Sequence, residues 1–287
     1  MEPQPFRRYT RVSPESSLEH YVLVDHHCHL DFPDLAAIRA DVLARAKAAG
    51  VGLLVTVCTR VKRFGEVAAI ADAYPHVYCT VGTHPHNAHE ELDITAEQLA
   101  RFAKHKKCVA IGEAGLDYFY DSSPRDAQEK GFRTHIAAAR ATGLPLVIHA
   151  RDADADTARI LEEEFSRGKF TAVLHCYTGG MDLAKRGLAL GLYVSFSGVI
   201  TFKNSHALRE VAAAVPLDRL LVETDAPYLA PEPFRGRKPN EPSLVVHTAH
   251  ALAKVKGVSA DDLARATTEN FHRLYSKVPR AAAEAAV

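Results

Sequence analysis

The sequence predicts a single-domain α/β protein folded as a (β/α)8 TIM barrel. Two observations carry the prediction. Short, almost wholly apolar runs alternate with longer segments of helical pattern, eight of each along the chain. Polar residues capable of chemistry recur where those apolar runs end. Strands buried on both faces of a parallel sheet read as continuous apolar runs. Barrel enzymes carry their catalytic groups at the C-terminal ends of such strands.

The apolar runs, in order, are YVLVD (21–25), GLLVTV (52–57), HVYCTV (76–81), CVAIG (108–112), PLVIH (145–149), TAVLH (171–175), LYVSF (192–196) and LLVET (221–225). The helical segments cover 34–50, 61–73, 95–106, 123–143, 153–167, 179–190, 205–214 and a closing region at 243–276. The first stops at Gly50. The fourth opens on Ser123-Pro124, read as N-cap and first helical position, and stops at Gly143. Eight strand–helix units in sequence suit the barrel. A doubly wound open sheet is the competing architecture, but no glycine-rich dinucleotide loop follows any strand. The polar stretch 1–20 reads as an N-terminal arm, 21–277 as the barrel and 278–287 as a tail.

Composition narrows the function. The chain has 287 residues, 47% of them apolar, with 35 basic and 35 acidic side chains. That balance argues against disorder and against coating nucleic acid through bulk charge. No apolar window reaches the roughly 18 residues of a membrane span. Five cysteines without a Cys-x-x-Cys pair, and a start without an apolar signal region, predict reduced thiols and a cytoplasmic location. Nothing points to an obligate protein partner. Histidine stands out: there are 16, with no Trp and two Met.

Several of these histidines fall at predicted strand ends. Asp25-His26-His27-Cys28-His29 follows the first run, and Thr83-His84-Pro85-His86 the third. Glu113 follows the fourth, His149 and then Arg151 end the fifth, and His175 ends the sixth. The eighth ends in Glu223-Thr224-Asp225. His27 and His29, two apart, would share one face of a strand and converge as a chelate needs. Alone, that pair is weak evidence, since a hydrogen-bonded pair in a loop gives the same pattern. His26 would point away from His27. In the second His-x-His, Pro85 breaks strand regularity, so His86 receives no role. A buried carboxylate such as Glu113 is costly unless paired or bound to a cation. His, Asp and Glu without Cys form a nitrogen–oxygen donor set suited to an open catalytic ion. Four imidazoles and two carboxylates exceed what one ion needs, so two divalent ions bridged by Glu113 are the economical arrangement.

The ordered motifs VDHHCHLD, GTHPHNA, IGEAGLDY, IHARD, LHCYTG, ETDAPYL, NEPSLV and TTENFHRLY extend from about residue 22 to 276. Together they resemble the TatD family of metal-dependent deoxyribonucleases, within the amidohydrolase-like barrel superfamily. The resemblance implies that His27, His29 and Asp225 bind one ion, and that Glu113 bridges to a second held by His149 and His175. It implies that Asp225 is also the general base, and that His84 and Arg151 contact the scissile phosphate. The ions would be Mg²⁺, Mn²⁺ or Zn²⁺. The substrate would be DNA, single-stranded or at 3′ ends, shortened by 3′→5′ exonucleolytic hydrolysis. His26 departs from the family, which commonly has Thr or Ser there.

The same donor set fits a metal-dependent ester or amide hydrolase, for example a D-aminoacyl-tRNA deacylase. A non-catalytic scaffold is the third possibility, and six intact ligand positions count against it. Arg151 favours phosphoryl chemistry, because its planar donor fork matches phosphate; an ion pair with Asp152 or Asp154 is the plainer alternative. Arg235, Arg237 and Lys238, after the eighth strand, form a basic loop able to hold a nucleic-acid backbone without reading sequence. Tyr118, Phe119, Tyr120 and Tyr177 would either stack on bases or cap the core.

Overall fold

The computed structural model describes residues 23–280. The expected arm at 1–20 and the tail from 281 onward lie outside the described residues. Eight strands pair in chain order: β1 (Leu23–Cys28), β2 (Val51–Thr56), β3 (Val77–Val81), β4 (Cys108–Asp117), β5 (Leu146–Arg151), β6 (Ala172–Leu174), β7 (Tyr193–Phe196) and β8 (Leu220–Val222). Every neighbouring pair is parallel. The ring is drawn together where Cys28 bridges Ala226, with Asp225 N–H donating to His27 O and His29 N–H to Ala226 O. The expected barrel is therefore present, and those closing bonds join the two strand ends that carry His27, His29 and Asp225.

The helices between the strands are α1 (Pro33–Ala36), α2 (Arg39–Ala48), α3 (Phe64–Ala73), α4 (Ala96–Phe102), α5 (Arg125–Thr142), α6 (Asp154–Arg167), α7 (Met181–Ala189), α8 (His206–Ala214), α9 (Val245–Lys256) and α10 (Ala260–Leu274). The strand wall divides the buried apolar residues into two clusters. The larger includes Leu54, Ile111, Leu146 and Leu220 on the sheet and helical residues such as Val42, Ile136, Leu183 and Leu252. The smaller joins Val24, Leu53, Val55, Val109, Val147, Val173 and Leu221 to Phe271, Leu274 and Tyr275 of the α10 end.

Several boundaries differ from expectation, each for a physical reason. β1 runs on through His26 and His27, with a register irregularity between Asp25 and Cys28. β4 continues five residues past Gly112 to Asp117, because Glu113 and Asp117 are polar yet buried. The first helical segment is broken into α1 and α2. The closing segment is broken at Gly257, whose φ of 65° places it in the left-handed region that ends α9. Ser259 then caps α10 by accepting Asp262 N–H. Ser123 is not the N-cap of α5; Pro124 occupies that position without a side-chain cap. Instead the Ser123 hydroxyl donates to His86 O at 3.0 Å and meets His89 Nδ1 at 2.5 Å. Among the described residues, no helix is long and apolar enough to cross a membrane.

Candidate metal centre

The middle of β4 and the C-terminal ends of β1, β5, β6 and β8 bring Glu113, His27, His29, His149, His175 and Asp225 to one mouth. His27, His29 and Asp225 each place one ligand atom within 4.8 Å of the others. Asp225 Oδ1 lies 3.7 Å from His27 Nε2 and 3.6 Å from His29 Nε2. Glu113 sits at the centre with its two oxygens facing different partners. Oε2 is 3.3 Å from His27 Nε2. Oε1 is 2.7 Å from His175 Nε2, 2.9 Å from His149 Nδ1 and 3.4 Å from His84 Nε2.

The electrostatics follow from that geometry. Burial would push the Glu113 pKa up, but His175, His84 and His27 outweigh it and hold the carboxyl well below its usual range. His175 moves the opposite way: burial opposes its charge, and Glu113 with Glu223 lifts it well above an ordinary imidazole. His84 is pushed down to about 4 by burial, against the pull of Glu113.

The residues present fit a cation. His27 is fully buried, and neither of its ring nitrogens makes a hydrogen bond. Its ring stacks parallel on His175, with centroids 3.9 Å apart. Buried polar atoms without partners are costly, and imidazoles meeting carboxylates within a few ångströms are the donor chemistry of a hard or borderline divalent ion.

Two groupings go beyond the sequence reading. His84 clusters with Glu113 and His149, and Glu223 with His27 and His175, each set within 4.8 Å. His84 thus stands among the possible ligands as well as facing the mouth. Glu223 was visible only as the neighbour of Asp225. It accepts Cys176 N–H and lies 3.1 Å from both His26 Nε2 and Ser195 Oγ. His26 reaches Ser195 at 2.6 Å and the Tyr275 hydroxyl at 3.1 Å, so it belongs to the layer beneath the cluster. Asp117 was also missed. Its Oδ2 faces His86 Nε2 at 2.8 Å and His149 Nε2 at 3.1 Å, which gives His86 a partner.

The glycines of the β4 motif have a packing reason. A Cβ on Gly115, whose φ is 151°, would collide with the His149 carbonyl, so β4 and β5 approach closely only with glycine there. Strained backbone gathers at the same end: Asp152, Cys176 and Asp225 have φ of 52°, 41° and 56°.

The remaining sites are less convergent. The Arg151 guanidinium lies over the Phe119 ring at 4.1 Å and the Tyr120 ring at 4.8 Å rather than on Asp154, whose carboxylate accepts Gly180 N–H. In the basic loop, Arg237 pairs with Glu241 at 3.4 Å and Arg235 lies over Phe202 at 4.4 Å, while Lys238 is exposed. Tyr177 is buried and Tyr118 donates to Asp156, so these two serve the core and the rim.

The family model described as TatD related DNase matches residues 24–276. The uncharacterized metal-dependent hydrolase YcfH of Escherichia coli is 43% identical over 259 residues, 88% of this chain and 95% of its own. The uncharacterized metal-dependent hydrolase YabD of Bacillus subtilis is 40% identical over 257 residues, 88% of this chain and 99% of its own. The crystal structure of YjjV, a TatD homologue from Escherichia coli, superposes with a TM-score of 0.83 at 32% identity, covering 90% of this chain and 98% of that one. With the buried His–Glu–Asp cluster at the mouth of its barrel, this chain belongs to the TatD family of metal-dependent hydrolases.

Proposed function

We propose that the chain is a metal-dependent phosphodiesterase that shortens DNA from the 3′ end, with single-stranded DNA or frayed 3′ ends as substrate and the cytoplasm as its place of work. The observation that carries the reading is Glu113, one of whose oxygens faces His27 while the other faces His149 and His175. His27, His29 and Asp225 would hold one divalent cation, and His149 and His175 a second, with Glu113 serving both. Mg²⁺, Mn²⁺ and Zn²⁺ all suit the donors. Bound there, such ions supply an acidified water and positive charge at phosphorus.

The chain's own residues do the rest. Asp225 accepts the proton of the attacking water; at 15% side-chain exposure it is the most accessible carboxylate of the cluster. Arg151 offers its outer N–H donors to a phosphate oxygen while its plane stays against Phe119 and Tyr120. His84, neutral at pH 7 and half-buried, donates to the same phosphate. Arg235 and Lys238 supply sequence-independent attraction farther along the strand.

The test uses metal-stripped protein given Mg²⁺, Mn²⁺ or Zn²⁺ in turn, with end-labelled single-stranded DNA and, separately, a D-aminoacyl-tRNA. Stepwise loss of nucleotides from the 3′ end, absent in Asp225→Asn, is the expected result. Intact DNA with release of the amino acid would transfer the site to an ester hydrolase.

A further inference from the structure

Among the described residues, three aromatic side chains are exposed as large hydrophobic groups: Phe119 at 54%, Tyr120 at 57% and Tyr228 at 53%. All three stand beside the metal cluster. Phe119 and Tyr120 lie edge to face, with centroids 4.9 Å apart, in the loop after β4. Tyr228 follows Asp225 by three residues. It meets Phe32 at 6.1 Å, and Phe32 stacks on His29 at 4.5 Å. The rings therefore flank the cluster on its His149 and His29 sides.

The Phe119–Tyr120 pair is held in place. Asp117, 1% exposed, accepts the N–H groups of Phe119 at 3.1 Å and Tyr120 at 2.9 Å on Oδ1. Its other oxygen faces His149 and His86. One carboxylate thus fixes the aromatic loop to an imidazole of the cluster. Arg151 braces the rings through their faces, and His86 lies 5.2 Å from Tyr120. Exposing two fixed rings to water is unfavourable without a partner.

We infer that the Phe119–Tyr120 pair stacks an unpaired nucleobase flanking the scissile phosphodiester on the exposed face of one ring, with the other ring bracing it edge-on. The inference rests on the phosphodiesterase reading above. The occupant follows from what surrounds the rings. A flat π-face takes any base regardless of sequence. The Arg151 cation beside it matches the adjoining phosphate, and the cluster is one carboxylate away. A base stacked between neighbours inside a duplex cannot offer its face, so the platform selects single strands and frayed ends.

The experiment uses metal-loaded enzyme and a single-stranded oligonucleotide with an abasic residue placed in turn at the last two 3′ positions. In the wild type, removing the stacked base lowers kcat/KM by about 5- to 100-fold, mostly through KM. In the Phe119→Ala/Tyr120→Ala double variant that penalty collapses toward onefold, and Phe119→Trp restores it. An equal penalty in wild type and double variant, or none in either, overturns the inference while leaving the phosphodiesterase reading standing. Binding separates the two readings in the other direction. Asp225→Asn protein is titrated against a strand ending in 2-aminopurine. Quenching that disappears with the double substitution supports stacking even if no DNA is cut.

Discussion

The two ends of this barrel satisfy their polar groups by opposite means. At the base, three lysines reach carbonyls at the ends of helices and in the residues that follow them. Lys107 Nζ donates to the carbonyls of Ala71, Tyr74, Pro75 and Val77. Lys277 donates to Ala103, His105 and Cys108, and Lys256 to Ala212, Ala213 and Val215. Each places a cation where helix carbonyls lack partners and the helix dipole is negative. At the mouth, like groups crowd one another, the ring nitrogens of His27 have no hydrogen-bond partner, and all five non-glycine residues with positive φ among the described residues lie in loops after strands. The base is built for stability. The mouth keeps unsatisfied donors together for a ligand.

The largest effect that would sharpen this contrast is Asp225→Asn. Loss of the proton acceptor lowers kcat by about 10²- to 10⁴-fold. Tm stays within a few degrees, because the carboxylate contributes charge to an already crowded cluster. Unfolding of the variant would place Asp225 in the structural framework instead. Arg151→Ala comes next. Losing one charge-assisted phosphate contact costs about 10- to 100-fold in kcat/KM on DNA. Arg151→Lys fails to rescue it, since an ammonium offers neither the fork nor the flat face that rests on Phe119 and Tyr120. Full rescue by lysine would reduce Arg151 to a bare charge.

Much of this contrast was legible in the sequence, and the reasons for the exceptions are local. Alternating apolar runs and helical segments were enough for the barrel, because strands buried on both faces leave little room for polar interruptions. The end of β4 was hidden for that same reason: Glu113 and Asp117 interrupt the apolar pattern while remaining inside the strand. His27, His29, Glu113, His149, His175 and Asp225 stood out as polar residues at strand ends. Asp117 did not, because its partners His86 and His149 are 31 and 32 positions away in the chain. Glu223 was overlooked beside Asp225, although the two carboxylates serve different layers. Ser123 looked like a cap because Pro124 follows it. The fold spends its hydroxyl on the His86–His89 loop instead.

A smaller effect tests the base. Lys277→Met keeps the length and apolar stem of the side chain but removes three hydrogen bonds to carbonyls. The loss is about 1–3 kcal/mol, a fall in Tm of several degrees for a domain of this size. Turnover should remain within twofold of wild type. A fall in kcat without a fall in Tm would show that the two ends are coupled through the strands.

The smallest effect concerns the layer that supports the mouth, and it is read against pH. His135 is buried, accepts Thr83 N–H on Nε2 at 3.0 Å and donates from Nδ1 to Gly131 O at 2.7 Å. Both nitrogens are committed to the neutral ring, and a second N–H would point at the Thr83 amide. Burial pushes its pKa from 6.5 down to about 4, with the Gly131 hydrogen bond and Glu91 opposing. Between those values the unfolded chain binds a proton at this position and the folded chain does not. Stability from His135 is therefore complete above about pH 6.5 and falls as pH drops toward 4. By pH 5 the loss reaches roughly 2 kcal/mol at most. Urea unfolding of wild type and His135→Gln at pH 7 and pH 5 isolates it, since buried His26 and His84 titrate alike in both proteins. The variant should start less stable and lose less on acidification. Parallel losses in the two proteins would mean that His135 accepts its proton without releasing Thr83, and that the loop leading to His84 is held by the Thr83 hydroxyl on Glu91 alone.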